Sequence, residues 1–374
     1  MSLLWAGAVF FGAVGGACFV VALVSTRPIA LAALFGSALA MAAGASCSAR
    51  LSVEYGTPVA TFVALAFVVA GFTAGYRLVA STLLDALDQR TVSVRCDPPT
   101  DRWLVVVLSD AEPARYSARC TAARLRRIER TSAAAFSPTV LPMIFLAERM
   151  RYRALRGPHP ARYVVEAIAT SILAGLERNG LDADVVAAYV DGRPALVEVV
   201  RCAQNTVVVE VGPAGSLPYI EARTAAEAGR GASASMRVIA PSVWRDDRLA
   251  ERLCERIAER VPNDERGSTG IVLLGTGIPE QWRSASTAWN DDENYFLTRT
   301  SLMLEEAGFD PQMVRAAWMG WQAPSLAEAV RHAAAIGASR IIVAPATIVY
   351  PDLATLLDVQ RETRDARVPA HVPV

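Results

Sequence analysis

Histidine is scarce, with 3 in 374 residues, at positions 159, 332 and 371. His159 stands before a proline in a turn, His332 falls on an outer helix face and His371 lies in the tail, so no pair of imidazoles is spaced for a metal or for proton transfer. The 6 cysteines, at 18, 47, 96, 120, 202 and 254, include no Cys-x-x-Cys and no Cys-His spacing. That excludes a zinc site and a disulfide framework, and leaves each cysteine as a small hydrophobe. Net charge is missing as well: 37 basic and 37 acidic residues cancel, and the pI is near 6.8. A neutral chain has no electrostatic basis for binding nucleic acid.

Charge is rarest at the front. Between Met1 and Leu84 only Arg27, Arg50, Glu54 and Arg77 are charged, whereas charges are frequent from Asp85 onward. With 53% hydrophobic residues, 20% charged and a mean hydropathy of +0.29, the chain is too apolar for an ordinary soluble enzyme. The runs 3–24, 28–46 and 57–84 are each near the roughly 20 residues that cross a hydrocarbon core, which predicts a transmembrane region of three helices over 1–84. The first run lacks a basic leader and continues into a second apolar segment, which argues against a cleaved signal peptide. Thr131–Ala147 is also uncharged, but it is short and carries Pro138 and Pro142, so it is assigned to the soluble part.

The small residues Gly7, Gly12, Gly15, Gly16 and Ala17, and again Gly36, Ala40 and Gly44, suit close helix packing in lipid or a plain anchor. Arg77 snorkels or marks the cytoplasmic end of its helix. Arg90, Arg95 and Arg102 follow the last span, which orients the N-terminus outside and the C-terminal domain in the cytoplasm, making this a multi-pass protein of the cell membrane. The basic run Arg124–Arg130, with Arg115, Arg119, Arg149, Arg151, Arg153 and Arg156, suits either anionic lipid headgroups or a solvated helix face.

After a linker at 85–101, strands and helices alternate. Strands are expected at 103–108, 184–190, 206–211, 236–240, 271–274, 313–318 and 340–345, and helices at 161–179, 195–204, 247–261, 294–307, 326–337 and 351–364. Short apolar β-branched runs between amphipathic helices predict an α/β architecture of doubly wound parallel sheets. Two sets of such units predict two similar lobes, 102–234 and 235–364, with a cleft between them and a tail at 365–374.

Within this pattern, Gly270-Ile-Val-Leu-Leu-Gly-Thr-Gly-Ile-Pro-Glu280 breaks from an apolar strand into a Gly-x-Gly turn. It resembles the metal-site strand of ferrochelatases, the enzymes that insert iron into porphyrins. The likeness extends in order to Gly157–Val164, Asp191-Gly-Arg-Pro194, the run 206–212 with Pro213 and Tyr219, Pro241-Ser242, Ala338–Pro345 and Tyr350–Asp358. It covers roughly residues 100–360. The resemblance implies chelatase-like lobes around a tetrapyrrole.

It also locates what is changed. The positions of the family's metal-site histidine and glutamate hold Thr276 and Ala354, Asp191 replaces the tyrosine of its Tyr-Gly-Asn-Pro turn, and Trp318 replaces an Arg/Ser. Glu280, Asp352, Asp246 and Asp247 are substitute carboxylates, each equally suited to a helix start. Trp282, Trp289, Trp318 and Trp321 lie within forty residues, and with Arg283 and Tyr219 they could hold a porphyrin or heme by stacking and ion pairing, or serve as core. Some of the basic-run arginines could also meet porphyrin carboxylates. No metal ligand set is present, and the four clustered cysteines of an iron–sulfur cluster are missing. The resemblance thus implies a membrane-anchored, tetrapyrrole-binding and catalytically degenerate relative. The alternatives are an active ferrochelatase-type lyase of heme biosynthesis using other residues, and a scaffold for other membrane proteins.

Overall fold

A computed structural model describes residues 2–25, 27–55, 58–88, 102–132, 136–201, 203–212, 216–229, 235–239, 243–283 and 287–374. Residues 89–101 of the expected linker, with Pro213, Pro241 and Ser242, lie outside them. The chain divides into two compact units, Met1–Val92 with Tyr116–Ala154, and Ser93–Arg115 with Leu155–Val374.

The first unit is all helical. α1 (Ser2–Val24), α2 (Arg27–Tyr55) and α3 (Pro58–Asp88) carry the apolar stretches Ala6–Val24, Ile29–Cys47 and Leu65–Leu84, each long enough to cross a membrane. Pro28 and Pro58 stand in first turns, where a missing amide hydrogen is harmless. α1 and α3 approach backbone to backbone. A Cβ at Gly12 or Gly16 would clash with the carbonyl oxygen of Val68 or Phe72, and one at Gly71 or Gly75 with that of Val9 or Ala13. Gly12 and Gly16 belong to the small-residue pattern expected from sequence; their partners Gly71 and Gly75 do not. Ser37 Oγ donates to Gly15 O at 2.9 Å and ties α2 to α1.

Two further helices complete this unit, α4 (Ala118–Ser132) and α5 (Leu141–Ala154). Ala122, Leu125, Leu141 and Phe145 close an apolar cluster with Val20, Val24, Ala80, Leu83 and Leu84, at the C-terminal ends of α1 and α3. The carbonyls that end α1 are satisfied from the side: Arg149 Nη1 donates to Ala22 O (3.0 Å) and Ser25 O (2.5 Å), and Tyr116 Oη to Val24 O (3.0 Å). The described residues of Thr131–Ala147, a run assigned from sequence to the soluble part, therefore belong with the apolar helices. Its prolines do not prevent this, because Pro142 occupies the first turn of α5.

The second unit is α/β with two parallel sheets. β1 (Trp103–Ser109), α6 (Ala161–Arg178), β2 (Ala183–Tyr189), α7 (Leu196–Val200), β3 (Asn205–Glu210), α8 (Leu217–Ala228) and β4 (Ser235–Ile239) give a sheet of order β2-β1-β3-β4. α9 (Asp247–Ala258), β5 (Thr269–Gly275), α10 (Glu280–Arg283), α11 (Thr287–Glu306), β6 (Val314–Trp318), α12 (Leu326–Ala335), β7 (Arg340–Pro345) and α13 (Val359–Asp365) give the order β6-β5-β7. β5 is buried at every residue, as expected of a central parallel strand covered on both faces. The strand expected at 236–240 was placed at the start of the second lobe; it pairs instead with β3, Val208 opposite Val238. The reason is α8, an alanine-rich helix without a clear apolar period, which supplies the crossover that a parallel neighbour needs.

Each sheet begins with its central strand, and the next two strands flank it on opposite sides. The carboxyl ends of β1 and β3, and of β5 and β7, are therefore topological switch points, where such sheets leave a crevice. The turns after β2 and β6 also agree. Tyr189 N donates to Pro194 O and Trp318 N to Pro324 O, while Glu198 and Glu328 accept from the amides of Ala195 and Ser325.

A candidate ligand cleft at the ends of β3 and β7

A cavity of about 550 Å³ opens between Val209–Gly212 at the end of β3 and Pro345–Val349 after β7. Ile168 of α6, Phe296 of α11, Trp244, and Leu249 and Leu253 of α9 supply further apolar wall. Trp244 and Phe296 meet edge to face, with ring centroids 5.3 Å apart at 65°. Arg252 and Arg256 project from the same helix; Arg252 pairs with Glu255 at 2.8 Å, and Arg256 is exposed. An apolar hollow of this size with guanidinium groups along one side suits a ligand that is mostly hydrocarbon and carries an acid.

Acids are buried behind both switch points. Glu210 ends β3, and by the alternation of the strand its side chain shares the face of Thr206 and Val208, opposite α8, where Arg223 Nε lies 3.1 Å away. Burial raises its pKa above the usual carboxylate range, and Arg223 offsets part of this. The Tyr219 hydroxyl, fully buried, donates to Val211 O (2.7 Å) and accepts from the Asp110 amide (3.3 Å), with Tyr350 reaching the Asp110 carboxylate. Burial pushes its pKa well above the phenol range. Beside it, Glu112 accepts from Leu353 N at 2.7 Å and lies 3.2 Å from Nε2 of His159, which is fully buried. His159 Nδ1 accepts from Ala161 N, so in the neutral ring Nε2 carries the proton and faces Glu112.

At the second switch point Glu293, from α11, takes hydrogen bonds from Thr276 N (2.9 Å) and Thr347 Oγ1 (2.5 Å), and one from the Gly277 amide. Burial raises its pKa, and these donors pull it back down. Gly275 permits the approach, since a Cβ there would stand 2.9 Å from Glu293 Oε1 and 3.2 Å from the Trp318 ring.

The residues singled out from sequence are dispersed. Thr276 contributes its amide to the Glu293 group, whereas Ala354 opens a π-helical turn, Ala354–Asp358, directly after Leu353 in the Glu112 group; the two groups share no residue. Glu280 and Arg283 are exposed at the ends of the four-residue α10. Trp282 and Trp289 are buried together with Ile278, Trp318 lines a separate hollow of about 300 Å³, and Trp321 is exposed. None of these four tryptophans lines the cavity, and Trp244 does. Asp191 is half-buried in the turn after β2. Asp352 and Asp246 act as caps: Asp352 Oδ1 accepts from Thr355 N and Oγ1, both at 2.6 Å, and Asp246 Oδ1 from Arg248 N at 3.0 Å. Asp247 Oδ1 lies 3.4 Å from Arg299 Nε. Among the described residues no three His, Cys, Asp or Glu side chains cluster for a metal. Trp244, Glu293 and the pairing of buried His159 with half-buried Glu112 were not legible as site residues; the one local signal was His159 held between Pro158 and Pro160.

No protein-family model matches the chain, and no curated protein matches it in sequence.

Proposed function

We propose that this is a membrane-anchored, chelatase-like protein that holds an acidic tetrapyrrole in the cleft between β3 and β7 and does not insert metal into it. The observation that carries the reading is the apolar cavity at the carboxyl ends of two parallel sheets, with Arg252 and Arg256 on one wall. The repeated strand order and the matching turns after β2 and β6 support two similar lobes. Metal insertion needs a base for the pyrrole protons and ligands for the incoming ion. Thr276 and Ala354 supply neither, and Asp352 is committed to a cap. Loss of a general base costs roughly 10² to 10⁴ in rate, so turnover close to the uncatalysed level is expected.

Titrating the detergent-solubilised protein with protoporphyrin and coproporphyrin, read by the Soret band, tests this. Arg256→Glu and Trp244→Ala are expected to weaken binding about tenfold each, on the order of 1.4 kcal/mol, and Arg283→Ala to leave it unchanged. Absent binding at micromolar concentration would leave a scaffold role, and iron insertion at an ordinary chelatase rate would refute the silent reading. The reading puts the α/β unit in the cytoplasm, on the arginines that follow the last span. Cys254 cannot report this, because it is buried, its thiol donates to Thr300 O, and burial pushes it up to about 11. Arg331→Cys, exposed on α12, serves instead in a cysteine-free background; an impermeant maleimide should label it only after cells are opened.

A further inference from the structure

We infer that the start of α5 is a lipid-inserted wedge, lying at the boundary between acyl chains and headgroups of the bilayer that the apolar helices cross. Its helical spacing makes two faces. Leu141, Phe145 and Glu148 are buried against the first unit, whereas Val140, Met143 and Met150 are half exposed, at 52%, 50% and 52%, with exposed Ala147 between them. At 100° per residue these four fall within one quarter of the helix circumference, opposite the buried face. Of this stripe, the Met150 sulfur accepts from Arg153 Nη1 at 3.9 Å, and the exposed parts of Val140 and Met143 face away from the buried side.

The level of this stripe identifies its partner. Tyr76 Oη donates to Thr139 O at 2.9 Å, so the chain entering α5 is pinned to α3 well inside the stretch Leu65–Leu84. With a rise of 1.5 Å per residue, Tyr76 is about 12 Å inward of Leu84 along α3. Arg77, next to it, is exposed and long enough to snorkel outward. No charged residue occurs from Thr131 to Ala147, and the first acid, Glu148, is turned inward to Arg124 at 2.7 Å. A 17-residue uncharged segment is too short to span but suited to an interfacial or re-entrant path. The other end of α5 is basic: Arg149 is bound to the end of α1, and Arg153 is exposed. Every one of the 37 basic residues in the chain is arginine, whose planar fork can take lipid phosphate oxygens two at a time. A tilted helix with its apolar start in the acyl layer and its arginine end among phosphates follows.

The test uses the full chain reconstituted into phosphatidylcholine–phosphatidylglycerol vesicles, with bimane on single cysteines at Val140→Cys, Met143→Cys and Met150→Cys, and at His332→Cys on the exposed face of α12 as the aqueous reference. For an interfacial helix, lipids brominated near the headgroup end of the acyl chain should quench positions 140 and 143 about threefold more than position 332, and more than lipids brominated near the methyl end. Aqueous iodide should show the reverse order. Iodide quenching at 140 and 143 equal to that at 332, with no response to brominated lipid, would overturn the inference, whether the stripe then faces solvent or another protein. These positions are exposed, so the labels do not test folding.

Discussion

Glu293→Ala is expected to destabilise the second sheet by about 3 kcal/mol or more, while Glu293→Gln should stay within about 1 kcal/mol of the native protein. The carboxylate receives the Thr276 and Gly277 amides and the Thr347 hydroxyl, and Glu293 is 1% exposed. Alanine would take the shared acceptor from these donors in a site closed to water, at roughly 1 to 3 kcal/mol for each and less than additively, since the Thr276 amide keeps Thr347 Oγ1 at 3.2 Å as a second acceptor. Glutamine keeps an oxygen in place and removes only the charge. The pH dependence separates the two effects. Because burial raises the folded-state pKa, the folded protein holds this proton more tightly than the unfolded chain does. That contribution to stability is complete below the ordinary glutamate pKa and is lost as pH rises through the folded value. The glutamine variant should lack this loss. Thermal unfolding followed by circular dichroism across that interval checks both points, and an alanine variant that melts with the native protein would show that the cluster holds nothing together.

This cluster also marks where sequence reading stops. β5 was visible from Gly270–Leu274 because a continuous β-branched and leucine run between glycines fits a strand covered on both faces, and Gly275-Thr-Gly277 signalled the tight turn. The three apolar helices were equally visible, because missing charge is itself the requirement for lying in lipid. Glu293 was not. It ends the run Asn290-Asp-Asp-Glu293, which looks like a solvated helix start, and only the fold turns it inward beneath β5 and beside Thr347, more than fifty residues away. Trp244 and Phe296 meet for the same kind of reason, through elements distant in sequence. α5 was missed, and α4 was read no further than as a solvated helix face or a lipid-facing basic run, because arginines in the one and prolines before the other hide a narrow apolar stripe that is buried against α1 and α3. Periodicity reports which face is buried, and it cannot say against what.

The packing of α1 on α3 makes the second large prediction. Gly12 meets Val68 and Gly16 meets Phe72, so residue numbers rise together along the contact and the helices run parallel. Two helices separated by one other span must do so if all three cross the bilayer. Three crossings would leave the residues before α1 and those after α3 on opposite sides, the arrangement that the arginines after α3 favour in the sequence. Small residues are the condition for this contact, since lipid offers no hydrophobic drive and close backbone approach must supply the attraction. Gly75→Leu or Gly16→Leu would drive a side chain into a facing backbone carbonyl that cannot rotate away. The helices would have to part along several turns, at about 3 kcal/mol or more, the upper part of the range for overpacking. Gly36→Ala is the matched control, because its Cβ would meet Cys18 Sγ at an ordinary 3.6 Å. Melting of the three variants in detergent, followed by loss of the monodisperse peak in size-exclusion chromatography, should rank the leucine variants several degrees below the native protein and Gly36→Ala with it. Leucine variants that melt at the native temperature would mean that α1 and α3 do not meet at these glycines.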